Sequence, residues 1–594
     1  MKESNDQLEK VYKAYIETME PDLIDLDCMR SLQDTFNHYP IFSIVVPVFN
    51  VKKKWLIRFV ESVRSQIYLK WELCIAVNPS TSSTIRSLLT YYASEDSRIK
   101  LAFLKKNELI STATNTALKL SSGDFLCLMD SVDEIAPNAL YEFALLLNKD
   151  QKIDMIYSDE DKIDLHGTRY DPFFKPDWSP ELLECFMYTG KISCYAMSIV
   201  IQLAGFRVDY EGAHVYDFVL RFSELAKKII HLPKVLCHCR MTSDLSPALA
   251  EGNDSIIDAS IRTLQDRVNR VNGGGFVRRG KYSETFDVRY ALHGSPLISI
   301  IIPSAGNFTK IRGESVDLLL NSIKTIYEKN TYKNTEIIIV DNNDLNKETI
   351  KGLSSYNCRF ISFNGKFNLA KKMNLGAKES SGDYLLFMND DVEAISPDWM
   401  ECMLQFAQRP NVGVVGAKLY FENEKIQHFG VAFWNGLPDH IRREYPNKDP
   451  GYFFSSCTNR NYLAVTGAVL MSKKDVFEGV GGFNEALAIN YNDIDYCLQV
   501  FKSGRRVVFA SAAELYHYES LSRDRVVSED EIKFFQDRWS DLVSTDPYYS
   551  PLFEDHPPNY SLRSDLMSIN HIDPLKYSAL TNMISITKKS DKAL

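Results

Sequence analysis

Acidic residues in this chain gather where runs of aliphatic residues stop. Asp341 closes the run EIIIV, and Asn389, Asp390 and Asp391 close YLLFM. In open α/β sheets, ligands bind at the carboxyl ends of the strands, so acids placed there face a binding crevice. A hard divalent cation takes oxygen ligands, and Mg²⁺ typically uses one or two carboxylates together with substrate phosphates. An Asn-Asp-Asp cluster at a strand end can therefore hold Mg²⁺ or Mn²⁺ against a diphosphate. The same three residues could equally form only a turn and a helix N-cap. Further on, Asp493 and Asp495 open a helical pattern whose apolar face carries Ile494, Cys497, Leu498 and Phe501. Acids in a first helical turn favour the helix dipole. A carboxylate at a helix start beside a cleft is also well placed to take a proton. His517 follows in LYHYESLSRDR, and a single His is more often structural than a ligand.

The elements that must position these residues read as strands alternating with helices. IFSIVVPVFN, Ile41 to Asn50, is a β-branched run stopped by Pro47, as expected of a buried parallel strand. A helical stretch around Leu56 to Ile67, the strand WELCIAV and the strand DFLCLMD follow. That alternation predicts a parallel sheet covered by helices on both faces. The series then recurs at offsets of roughly 260 residues. SIIIP repeats SIVVP, TEIIIVD repeats WELCIAV, and SSGDYLLFMNDDVE repeats SSGDFLCLMDSVDE. A near-constant offset over three strands means a duplicated domain. The expected organisation is a helical lead-in over 1–40, a first α/β domain over 41–250, a linker with one helix over 251–295, a second α/β domain over 296–555, and a tail over 556–594 with Lys588, Lys589 and Lys592.

Composition narrows the function. The 594 residues are 45% hydrophobic and 25% charged, which is ordinary for packed domains and excludes wholesale disorder. Net charge is −10, from 68 Lys+Arg against 78 Asp+Glu, where a general nucleic-acid binder shows a basic excess. Eleven Cys spread over so long a chain do not suggest a disulfide framework. No apolar run is long enough to span a bilayer, and the charged N-terminus lacks the apolar stretch of a signal peptide. The expectation is a cytoplasmic protein, with contact at the inner face of the cell membrane only peripheral.

Read together, the motifs of the second copy resemble the family 2 glycosyltransferases, which have a GT-A fold: FNLAKKMNLGA, LLFMNDDVE, VGVVGAKLY, IQHFG, AVTGAVLM, GGFNE, YNDIDYCLQ and LYHYESLSR. The likeness covers about 296–551 and is nearest to the branch that builds bacterial surface polysaccharides, including rhamnosyl- and galactosyltransferases. It implies inverting transfer of a sugar from a nucleotide-sugar, dTDP-rhamnose or a UDP-sugar, to a glycan or lipid-linked glycan, as in O-antigen synthesis. It implies Mg²⁺ or Mn²⁺ as cofactor. By the same resemblance Asp391 is the main metal ligand, with His517 near the metal, and Asp493 is the base. Pro303, Asp341, Asn343, Asn374, Asn389, Asp390, Thr466 and Gly467 are expected to bind the nucleotide-sugar. Two positions depart from the family pattern: Asn389 stands for the first acid of the metal motif, and Asn492 for the Glu before the base.

The first copy resembles the same family from about Phe42 to Arg240, retaining ATNTAL, YSDEDKID, DPFFKPDWSPELL and HLPKVLCHCR. Its acids are gone. Aligning the repeats sets Val77 against Asp341, Val132 against Asp391 and Val215 against Asp493. Valine can neither ligate a metal nor take a proton, so a non-catalytic first domain is expected. Asp130 and Asp133 survive, read as loop and cap residues in preference to a shifted metal site. Cys237, His238 and Cys239 are too closely spaced for an ordinary zinc knuckle and read as strand packing. The aromatic stretch around Phe173 and Trp178 fits either an acceptor surface or core. The rival readings are a bifunctional transferase, a non-catalytic glycan-binding or assembly protein and, least of all, a nucleotidyltransferase. The sugar, the linkage and the acceptor depend on segments such as Phe433 to Arg443.

Overall fold

The computed structural model describes residues 2–241, 254–518 and 527–568. The lysines expected in the C-terminal tail lie outside the described residues.

Two mixed sheets, mostly parallel along one half, form the body of the protein. In the first, the order is Ile99–Phe103, Trp71–Val77, Phe42–Val48, Phe125–Leu128, Cys194–Ala196, Met155–Ile163, Ile229–Arg240 and Glu134–Ile135. In the second it is Cys358–Ser362, Thr335–Asp341, Ile298–Pro303, Tyr384–Met388, Val469–Lys473, Val412–Tyr420, Arg506–His517 and Val392–Ala394. The orders correspond strand for strand. The central strands are buried along all but Pro47, as SIVV and SIII demand: β-branched runs without polar alternation need cover on both faces.

Register makes the correspondence residue by residue. Phe42 pairs with Trp71 and Phe125, as Ile298 pairs with Thr335 and Tyr384. The same polar clasp closes both sheets at their base. The Ser43 hydroxyl donates to Glu72 at 2.7 Å and accepts from the Gly123 N–H at 3.0 Å. Ser299, Glu336 and Gly382 repeat it at 2.5 and 2.9 Å. A Cβ on Gly123 or Gly382 would sit under 3 Å from that serine hydroxyl and from a backbone carbonyl, which is why SSGD recurs with its glycine.

The two copies are joined by the DPFFKPDWSPELL segment. Phe173 is buried and stacks on Phe453 with ring centroids 3.7 Å apart, and the Tyr452 hydroxyl donates to the Pro172 carbonyl at 2.6 Å. Glu181, fully buried, pairs with Arg409 at 3.2 Å and Arg506 at 3.0 Å of the second copy, and those guanidinium groups hold its carboxyl down at about 2 against the cost of burial. Phe173 is therefore packing between copies, while Trp178 meets Tyr157 and Tyr188 within the first copy. Lead-in helices span Lys2–Met19 and Leu23–Leu32. Between the copies, the helix Asp254–Asn272 and the hairpin Gly275–Arg279 with Phe286–Tyr290 pack on the first copy through Ile257, Leu264, Val268 and Phe286.

Candidate active site

A cavity of about 650 Å³ opens along the strand ends of the second copy. Pro303, Asn389, Asp390, Asp391, Thr466, Gly467, Asp493 and His517 all line it. Asp341, Asn343 and Asn374 do not. Asp341 ends its strand one position along the sheet, where its carboxylate accepts the Asn343 N–H at 2.9 Å. Asn343 takes a positive φ of 62°, and its side-chain carbonyl accepts from the Ser362 hydroxyl at 2.6 Å. Asn374 works on the backbone: its amide donates to the Phe483 carbonyl at 2.9 Å and accepts from the Phe483 N–H at 3.0 Å, anchoring the Gly481-Gly482 turn. Asn115 holds Phe206 in the same way in the first copy, at 2.7 and 2.9 Å.

Asp493 sits in the first turn of the helix Asn492–Lys502. One carboxylate oxygen accepts the Gly467 N–H at 2.6 Å, and the other accepts the Ile494 N–H at 2.9 Å. Burial pushes the carboxyl above its ordinary value while those N–H groups pull it back. A Cβ on Gly467 would lie 2.8 Å from the Asp493 Cβ, so only glycine permits the approach. Asp495, two residues on, has a different task. It is fully buried and takes hydrogen bonds from Trp539 at 2.8 Å and Gln499 at 2.7 Å, with Arg538 at 3.0 Å. Of the two acids opening this helix, Asp493 is the one at the cavity wall.

His517 and Asp391 converge at the other side. The antiparallel pairing of Val392 with His517 brings the imidazole Nε2 to 3.1 Å from the Asp391 carboxylate. Gln427 fixes the ring: its carbonyl accepts from Nδ1 at 2.7 Å and its NH₂ donates to the His517 carbonyl at 3.2 Å. With the proton on Nδ1, the Nε2 lone pair faces the carboxylate. Two lone-pair atoms aimed at one point fit a divalent cation, and the partner on the far ring nitrogen is the usual device that orients a metal-binding His. Among the described residues there is no cluster of three or more His, Cys, Asp or Glu placed for a metal. Asp390 accepts from the Ser304 hydroxyl at 2.6 Å, and the Asn389 amide lies 3.2 Å from His517 Nε2.

Sequence reasoning assigned no role to several residues at this wall. Lys372 is buried beneath the cavity, its ammonium donating to the Ser304 carbonyl at 3.1 Å. Tyr491 enters the Asp493 helix with φ 61°, a strained backbone for a bulky residue. His428 and His440 lie with their Nδ1 atoms 2.9 Å apart. Burial, with His440 and His517 nearby, holds His428 well below the ordinary imidazole value. Lys372 and His428 stand inside FNLAKKMNLGA and IQHFG, so the motifs pointed to the region without separating these side chains from the core around them.

In the first copy the corresponding rim is rebuilt. Register confirms Val77, Val132 and Val215 opposite the second copy's acids: Trp71 aligns with Thr335, Phe125 with Tyr384, and the helices His214–Leu225 and Asn492–Lys502 start in step. Glu134 pairs with His238 where Glu393 pairs with Tyr516, so Cys239 takes the place of His517. Ala196 and Lys473 occupy equal positions opposite Phe125 and Tyr384, which makes Lys191 the counterpart of Ala468. The Lys191 ammonium lies 2.5 Å from Asp130 and 2.7 Å from Asp133. It lowers the Asp130 carboxyl, while burial lifts that of Asp133 to about 6. An internal cation thus satisfies the acids that survive. Asp217, the counterpart of Asp495, is kept and held by Arg207 and by Arg221 at 2.9 Å. Cys237 is buried in its strand, and the His238 Nδ1–H donates to the Asp161 carboxylate at 2.7 Å.

The family model for glycosyl transferase family 2 matches residues 43–203 and again 299–465. The chain belongs to glycosyl transferase family 2. Its two sheets are tandem GT-A-like units of that family, one for each match. The chain is 35% identical over 529 residues to the uncharacterized protein y4gI of Sinorhizobium fredii, covering 86% of this chain and 57% of that one. It is 32% identical over 527 residues to the O-antigen biosynthesis protein RfbC of Myxococcus xanthus, covering 86% and 40%. It thus spans about half the length of these relatives. A chondroitin synthase of Escherichia coli is 29% identical over 209 residues, 35% of this chain and 30% of that one.

Proposed function

We propose that the chain is an inverting, metal-dependent glycosyltransferase in which the second copy alone is catalytic. The observation that carries this reading is that Asp493, Asp391 and His517 line one cavity while their counterparts are Val215, Val132 and Cys239. Asp493 takes the proton of an acceptor hydroxyl as its oxygen attacks the anomeric carbon of the donor sugar. Raised basicity suits that task, and the Gly467 and Ile494 N–H groups hold the carboxylate in place. Attack from the face opposite the leaving group inverts the anomeric centre, and no enzyme nucleophile is needed. Asp391, with His517 beside it, would hold Mg²⁺ or Mn²⁺, which supplies charge stabilisation to the departing nucleotide diphosphate. Pro303, Asp341, Asn343, Asn374, Asn389, Asp390, Thr466 and Gly467 frame the nucleotide-sugar, three of them by shaping the rim from outside the cavity.

The donor is a nucleotide-sugar such as dTDP-rhamnose or a UDP-sugar. The acceptor is a glycan, lipid-linked in bacterial surface polysaccharide synthesis, a placement supported by the likeness to RfbC. Among the described residues no helix is long and apolar enough to cross a membrane, so the membrane contact proposed here is peripheral. Calorimetric titration of the full chain with a panel of nucleotide-sugars and Mn²⁺ tests the reading. One site per chain, lost in Asp391→Ala, is expected. Two sites, one surviving that substitution, would make the enzyme bifunctional.

A further inference from the structure

The helix Glu529–Val543 packs against the segment that leads into Asp493, and it does so with side chains four residues apart. That spacing puts Glu531, Phe535 and Trp539 on one helix face. The buried Glu531 carboxylate accepts from Ile489 and Asn490. One oxygen takes their backbone N–H groups at 2.9 and 3.3 Å, and the other takes the Asn490 side-chain amide at 3.0 Å. The Phe535 and Tyr491 ring centroids lie 5.1 Å apart, and the Trp539 indole N–H donates to Asp495 at 2.8 Å. Ile489, Asn490 and Tyr491 all line the cavity and run directly into Asn492 and Asp493. Tyr491 holds φ 61°, a conformation that persists in a bulky residue only where its surroundings over-determine it. Glu531 acting on the residues before it, and Phe535 on its ring, supply that constraint. Gln536 of the same helix donates to the Asn435 carbonyl at 2.9 Å, at the turn of the hairpin Val431–Trp434 with Leu437–His440.

Among the described residues the first copy has no such clasp. Its helix Asp254–Asn272 also comes after the last strand of its sheet and packs on His214–Leu225. Gly212 stands two residues before His214–Leu225, as Asn490 stands two before Asn492–Lys502. What meets Gly212 is Ile256: a Cβ on the glycine would lie 3.0 Å from the isoleucine Cγ1. An apolar contact thus takes the place of the carboxylate in the copy that has Val215 for Asp493. The unit folds without the clasp, which points its use toward the cavity. We propose that Glu531 is a positioning residue for sugar transfer, fixing Ile489 and Asn490 as the wall against which the acceptor is seated. This inference rests on the transferase reading above. The acceptor hydroxyl must reach the Asp493 carboxylate, so residues 489–491 border the acceptor, while Asp391 and His517 at the other side face the diphosphate. Glu531 does not itself line the cavity and acts only through the wall it holds.

Kinetics of the full chain test the proposal with Glu531→Ala and Glu531→Gln. The Gln variant keeps an oxygen for the two backbone N–H groups, so its acceptor kcat/KM should stay near wild type. The Ala variant strands those donors and lets the wall shift. Its acceptor kcat/KM should fall by about 10–100-fold, the scale of a misplacement of about 1 Å. Nucleotide-sugar binding with Mn²⁺, read by calorimetry, should stay at the wild-type value, which also shows that the variant is folded. Hydrogen exchange reads the clasp without substrate: the Ile489 and Asn490 amides should be protected in the wild type and the Gln variant, and exchange faster in the Ala variant. Should the Ala variant not fold, Glu531→Asp, one methylene shorter, carries the same comparison. Equal loss of donor and acceptor binding, a Gln variant as impaired as Ala, or unprotected amides in the wild type would overturn the assignment. A wild-type chain inert with every donor would refute the transferase reading and this role with it. An active wild type whose Ala variant uses acceptor normally would sink this inference alone.

Discussion

The two copies share a frame down to single hydrogen bonds, yet differ at the charged and ligating positions along the crevice. Ser43, Glu72 and Gly123 repeat as Ser299, Glu336 and Gly382, and Asn115 with Phe206 repeats as Asn374 with Phe483. Over that frame, Asp391 becomes Val132, Asp493 becomes Val215, His517 becomes Cys239 and Ala468 becomes Lys191. The contrast separates two kinds of acid. Asp495 and Asp217 are kept in both copies because each satisfies buried arginines or an indole N–H, so losing it would strand those donors. Asp391 and Asp493 are absent from the first copy at no cost to its fold, because what they face is the cavity. Burying charge without a partner is unfavourable, so valine is an uncostly residue at the equivalent positions of the first copy.

Breaking the second copy should give the largest effect. Asp391→Ala is expected to abolish transfer and to weaken nucleotide binding that depends on Mn²⁺, whereas Val132→Asp in the first copy should create no second activity. Full activity of Asp391→Ala in the presence of EDTA would erase the distinction. Asp493→Asn keeps the shape and the oxygen that accepts from Gly467 but cannot take a proton. Its turnover should fall by about 10²–10⁴-fold with donor affinity retained. A wild-type rate would reduce Asp493 to a structural acid, as Asp495 is.

The first copy can be probed through stability. Lys191→Ala removes the cation from the Asp130 and buried Asp133 carboxylates. Stranding a buried partner typically costs about 3–5 kcal/mol, and because Lys191 and Asp130 keep contact with solvent we expect about 2 kcal/mol, read from the denaturant midpoint. Ala468, its counterpart, carries no charge at all, so Ala468→Ser should leave stability near wild type. If Lys191→Ala is as stable as the parent, the lysine does not have the stabilising role that its two ion pairs suggest.

How much of this was legible in the sequence follows from range. The strand-end acids could be read because each ends an unbroken aliphatic run, and the duplication because SSGD and its neighbours recur in one order. The pairing of Val132 with Asp391 needed only the local alignment of those blocks. Lys191 against Ala468 could not be read that way, since it depends on the antiparallel register of Cys194–Ala196 and Val469–Lys473 against strands far away in the chain. The His428–His440 contact is likewise set by a fold-back of the chain. Phe433–Arg443, read only as a segment governing specificity, includes one side of a hairpin whose final residue meets a buried strand. Phe173 was open between core and ligand surface because an aromatic run looks the same for either use. Only the partner ring, Phe453, decides it.

The smallest effect concerns pH and the junction between the copies. His231 is buried between Asp159 at 2.8 Å and Asp177 at 3.1 Å, and Asp177 also donates its N–H to the Pro547 carbonyl of the second copy's C-terminal stretch. Burial opposes charge on the ring, but the two carboxylates outweigh it and lift the imidazole to about 9. In the unfolded chain the same group titrates near about 6.5. A base with a raised folded value stabilises the fold fully below the unfolded value, and that contribution is lost as pH rises through the folded one. Stability should therefore fall between about pH 6.5 and 9 by an amount on the order of 2–3 kcal/mol. Asp546 at the same junction is pushed up to about 7 by burial, so it is an acid with a raised folded value, and its own contribution falls mainly between about pH 4 and 7. Above pH 7 the histidine dominates. The strand of the second copy that corresponds to Ile229–Arg240 starts Arg506, Val507, Val508 and has no imidazole there, so the pH response belongs to the first copy. His231→Gln should start less stable at pH 6.5 and lose little more by pH 9. Denaturant midpoints at the two values check it, and a wild-type midpoint that does not move across that window would mean His231 is neutral in the folded chain.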